Sequence, residues 1–130
     1  MRAPDYAEPL MGWRVWCVVQ TREGLRLASV IHDEVWPVGR DLVARCDTDR
    51  EHIAPQERCT YSIHATRDPK LVRSYLRGRD EPGTVARVLG RVLLWGRVVE
   101  HEHGWRASHA YPLEIVGDDE LLFEPRLAYG

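Results

Sequence analysis

The sequence predicts an α+β domain: a curled, mainly antiparallel β-sheet that tends toward a small barrel, with one short helix packed on it. Three observations carry this. The chain has 130 residues, the size of one domain (1–130) burying roughly two thirds of its unfolded surface. Segments rich in β-branched and aromatic residues recur between turn residues. Only one segment has strong helical spacing.

Composition narrows the class further. With 44% hydrophobic and 29% charged residues, the chain is neither disordered nor built for a bilayer, and no apolar run approaches the length of a transmembrane helix. The start, Met1-Arg2-Ala3-Pro4-Asp5, lacks the apolar stretch of a secretion signal. The cysteines Cys17, Cys46 and Cys59 form an odd set without disulfide-scaffold density. The expected compartment is therefore the cytoplasm. Lys70 is the single lysine among 18 basic residues, and the formal net charge is −2. An overall attraction to nucleic acid is absent, although a local arginine patch remains compatible with these numbers.

The elements follow in chain order. Gly12–Gln20 and Leu25–Ile31, joined across Arg22-Glu23-Gly24, read as a β-hairpin. Strict alternation there puts Trp13, Val15, Cys17 and Val19 toward the core and leaves Trp16 the more exposed tryptophan. From Trp36-Pro37 to Glu57 the pattern dissolves into Pro, Gly and charge, a long structured loop with one short strand or helical turn. Cys59–Thr66 reads as a strand. Asp68-Pro69 then opens the expected helix, with Leu71, Val72, Tyr75 and Leu76 on its apolar side and Gly78 as its stop. Two long strands between Val85 and Val116 form a second hairpin around a His103-Gly104 turn, which pairs Val98 with His109 and Gly96 with Tyr111. Gly90 and Gly96 mark bends or bulges that curl the sheet. The apolar run Leu121–Phe123 suggests a final edge strand.

Four groups of residues are candidates for chemistry. Cys46, His52, Cys59 and His64 contain the ligand types of a zinc site, but no Cys-x-x-Cys knuckle is present; the bland alternative is isolated thiols and surface histidines. His109 with Glu100 one pair nearer the turn is the best acid/base pair, against the alternative of a hydrogen-bonded core histidine beside a surface glutamate. Arg87, Arg91, Arg97 and Arg106, with Trp95 and the more exposed Trp16, make a ligand-binding set suited to phosphate or single-stranded nucleic acid. The alternative is arginine stems lying over apolar neighbours of a half-exposed sheet. His101, Glu102 and His103 crowd the hairpin tip, where polar residues are commonly just solvated. Phosphate-binding loops, nucleotide fingerprints, serine elbows and metalloprotease motifs are missing from the sequence.

Three stretches, Gly12-Trp-Arg-Val-Trp16, His52 to Ala65 and Gly90 to Ala107, resemble an uncharacterised small-protein family of actinobacteria and their phages. In that family the middle stretch tends to read Cys-x-Cys-Gly-Ile-Tyr-Ala; here Tyr61 and Ser62 stand at its second Cys and its Gly. The resemblance implies single-domain integrity and brings no activity with it. Abundant Trp and Arg beside unconvincing catalytic groups lead to a non-enzymatic binding module for a protein or small molecule. A small biosynthetic or hydrolytic enzyme using His109 and Glu100, and a nucleic-acid binder using the arginine face, are the alternatives. Self-association is compatible with the tryptophan content, membrane insertion is not.

Overall fold

A computed structural model of the chain describes residues 5–30, 34–44, 63–77 and 83–130. Three long strands dominate it: β1 (Asp5–Thr21), β5 (Thr84–His101) and β6 (Gly104–Ile115). They pair antiparallel in the order β1-β5-β6. Shorter strands complete the sheet: β2 (Gly24–Ser29) pairs with β1, and both β3 (Leu42–Val43) and β4 (Ile63–Thr66) pair with β6. β4 also reaches β1 through the single pair Trp13↔Thr66. The pairings β1-β5-β6-β4 therefore form a closed ring, though the closure is one residue pair deep and short of a regular barrel. The sheet is mainly antiparallel and carries one short α-helix, as the sequence predicts.

That helix is not where the sequence places it. Asp68 does cap and Pro69 does open the predicted segment, with the Asp68 carboxylate accepting from Lys70 N at 2.8 Å. The segment nevertheless forms two 3-10 turns, Pro69–Leu71 and Arg73–Leu76. Val72 is buried while Leu71, Tyr75 and Leu76 stay exposed, so too little apolar surface docks to sustain a longer helix. The tail, expected as an edge strand, instead forms a 3-10 turn (Glu120–Leu122) running into α1 (Phe123–Tyr129). Asp119 caps that turn by accepting from Leu121 N at 3.0 Å, and Pro125 sits in the first helical turn, where its missing N–H costs nothing.

The core is organised by the even-numbered residues of β1. Trp16 and Val18 are fully buried and pack with Leu27, Trp36, Val88, Val92, Leu94 and Val98. This corrects the exposed placement of Trp16. Cys17 and Val19 form a second, smaller buried cluster with Ala28 on the other side of the strand. A strand covered on both sides has no amphipathic alternation to read. Trp16 and Trp36 meet edge to face at 5.5 Å, and Trp36 Nε1 donates to Ser29 Oγ at 2.9 Å.

The β5–β6 register also differs from expectation. The turn residues are Glu102 and His103, with His101 opposite Gly104, Glu100 opposite Trp105 and Trp95 opposite His109. A shift between Trp95 and Val98, at Gly96 with φ +79°, returns Val98 to the interior. Val92, Leu94, Val98 and Ile115 are thus buried, whereas Leu113 is 42% exposed and Ala107, Ala110 and Pro112 take the inner positions on β6.

Candidate ligand cleft

The pairing of β5 with β6 sets Leu93 beside Tyr111 and Trp95 beside His109, all half-buried, on the side of the sheet opposite Leu94 and Ala110. Trp95 and His109 stack at 6.1 Å with planes 24° apart. The loop leading into β3 folds against this face because Leu42 and Val43 pair with Ala110 and His109. Gly39, at φ +76°, donates its N–H to Tyr111 Oη at 3.0 Å. Tyr111 passes that bond on, donating to the Tyr129 carbonyl at 3.0 Å, so the cleft wall is tied to the end of α1. Pro9, Leu93, Trp95 and Tyr111 form the apolar side and Gly39, Arg40 and Asp41 the polar rim of a cleft of about 580 Å³. This is the range of small-molecule sites.

His109 stands beside the cleft. Its Nε2 lies 3.8 Å from Asp41 Oδ2, and its Nδ1 lies 2.6 Å from Ser108 Oγ. The Ser108 hydroxyl also accepts from Arg97 N at 2.8 Å. Donation from Ser108 to Nδ1 would leave the imidazole N–H on Nε2, facing Asp41. Gly96 makes this possible: a side chain there would collide with Ser108 Oγ and with the His109 ring. Ser108, however, is fully buried, so the hydroxyl stitches the bulge and is out of reach of a substrate.

The sequence-predicted residues scatter around this cleft. Trp95 lines it and His109 flanks it. Glu100, the proposed partner of His109, faces Trp105 instead and pairs with Arg67; the register derived from a His103-Gly104 turn is what misplaced it. Arg87 is occupied by the Tyr75 and Arg77 carbonyls at 2.7 and 3.3 Å, holding the 3-10 turns to the sheet. Arg91 pairs with Glu114 at 2.6 Å and lies over Trp13. Arg97 is exposed, Arg106 half-buried opposite Val99, and Trp16 belongs to the core. Cys46, His52 and Cys59 lie outside the described residues, while His64 is exposed on β4. Among the described residues there is no group of three His, Cys, Asp or Glu able to hold a metal, and no helix is long and apolar enough to cross a membrane.

Asp41, Arg40 and Pro9 were not anticipated. For Arg40 and Asp41 the signal is the preceding Gly39, whose left-handed backbone turns the chain there; Pro9 has none. No protein-family model, curated protein or solved structure matches this chain.

Proposed function

We propose that the protein is a non-enzymatic binding module that seats the apolar or aromatic part of a small molecule, or of a side chain from a protein partner, between Trp95 and Tyr111. The carrying observation is the aromatic cleft with its rim of Arg40 and Asp41. An apolar wall with a few fixed polar groups supplies affinity from the wall and orientation from the rim. The nucleic-acid reading loses support because Arg87 and Arg91 are occupied by the protein's own acceptors. The test is an amide-resolved NMR titration with indole and with benzamidine. Saturable shifts confined to Leu93, Trp95, Tyr111 and Asp41, lost in Trp95→Ala, are expected. Absence of any perturbation at these positions would remove the proposal.

A second reading has its own observation, the Asp41–His109–Ser108 line. In it His109 moves a proton for a ligand bound in the cleft and Asp41, not Glu100, orients the ring. It requires turnover that His109→Ala abolishes while the fold persists.

A further inference from the structure

Arg14 and Trp16 are two residues apart on β1, so their side chains share one face. The Arg14 guanidinium carbon lies 4.8 Å from the centre of the Trp36 ring and 5.9 Å from that of Trp16. Arg14 Nη1 donates to the His64 carbonyl at 3.2 Å. Arg14 Nε and Trp16 Nε1 are buried and have no hydrogen-bond partner among the described residues, and Trp16 as a whole is fully buried. Trp36, by contrast, has its N–H occupied by Ser29.

A buried cation normally has a carboxylate beside it, because desolvation must be offset by an opposite charge and by filled hydrogen bonds. No ion pair to Arg14 is found among the described residues, and the negative charge of Glu34 offsets only part of the desolvation. The residue as a whole is half-buried, although its Nε is not itself exposed. A positive charge, two unused N–H donors and two indole faces thus meet in one place. Donors fixed beforehand in a desolvated setting favour an acceptor that carries charge.

We infer that Arg14 and Trp16 form a binding site for the oxyanion group, carboxylate or phosphate, of a small ligand, with Trp36 as its aromatic wall. The anion would accept from Arg14 Nε and Trp16 Nε1 and neutralise the guanidinium. The site is separate from the Trp95 cleft and stands or falls independently of it.

Thermal unfolding and tryptophan fluorescence of the full chain, titrated with sodium acetate, sodium benzoate or inorganic phosphate at ionic strength held constant with chloride, test this. A saturable rise in Tm with a matching fluorescence change is expected for at least one anion. Preference for benzoate or acetate would assign a carboxylate, and preference for phosphate a phosphate. Arg14→Met should weaken the effect by about tenfold or more, since the charge-assisted bonds are lost. Arg14→Lys, which keeps the charge without the Nε–H, should weaken it as well and serves if the Met variant does not fold. No saturable response in the wild-type protein, or an equal response in these variants, overturns the inference.

Discussion

At the residue scale, Arg14 has an electrostatic cost that pH should expose. Burial pulls its pKa well below the ordinary guanidinium range, to about 10, and the field of Glu34 opposes only part of that fall. A base whose folded pKa is below its unfolded value binds protons more weakly in the native state. Native stability is therefore reduced by a constant amount below about pH 10 and recovers as pH rises from there toward the ordinary guanidinium pKa. Arg14→Met should remove that slope and, at neutral pH, leave the protein at least as stable as the wild type. Urea unfolding of both proteins at pH 7 and pH 10.5 checks this: a pH-dependent difference between them is expected, and parallel curves would contradict it. Trp16 shows why this region was hard to read in the sequence. Its alternation with Val15 and Cys17 signals two faces, but all three are buried, and periodicity cannot tell which face lies inside the ring when both are covered.

Among the elements, α1 has a task that composition does not reveal. β2 lies at the edge of the sheet, and two of its N–H groups are capped by side chains from the helix. Leu25 N donates to Glu124 Oε1 at 3.0 Å and Leu27 N to Tyr129 Oη at 3.0 Å. The Tyr129 hydroxyl then donates to the Trp36 carbonyl at 2.8 Å. An open strand edge invites pairing with another chain, and these caps block it. Tyr129→Phe leaves a buried donor and a buried acceptor without their partner, which should cost about 1–3 kcal/mol. Denaturant unfolding measures the loss, and amide exchange at Leu27 should accelerate selectively. An unchanged Leu27 exchange rate would show that the cap is dispensable. The helix was illegible because Leu121–Phe123 resembles a strand in isolation, whereas Asp119 and Pro125, its true start signals, flank an apolar run too short to show a period.

For the molecule as a whole, the decisive feature is how β4 closes the ring. The sequence shows the long strands, the curl and the glycine bulge, because alternation and turn residues are local signals. It does not show β4 meeting β1, because that contact depends on missing side chains. A side chain at Gly12 would approach Ala65 Cβ to 2.5 Å, and one at Gly104 would strike the Ala65 carbonyl and come within 2.7 Å of Thr66 Cα. β4 therefore passes close against two glycines, one on each neighbouring strand. This also explains the misread turn: Gly104 is required by the approach of β4, whereas a His103-Gly104 turn assumed that it was required by backbone conformation. Gly104 has no positive φ, unlike Gly39 at +76°. The two glycines should consequently respond to alanine for different reasons. Gly39→Ala meets nothing within 4 Å and should cost only the left-handed backbone penalty, about 1–2 kcal/mol. Gly104→Ala must displace backbone of β4, so it should cost more than Gly39→Ala, about 3 kcal/mol, and raise amide exchange across Ile63–Thr66 while the β1–β2 hairpin stays protected. Because the buried cation hangs from the same strand through His64, opening the ring should also loosen Arg14. Equal costs for the two alanine variants, with β4 still protected, would mean that the ring does not depend on close glycine packing.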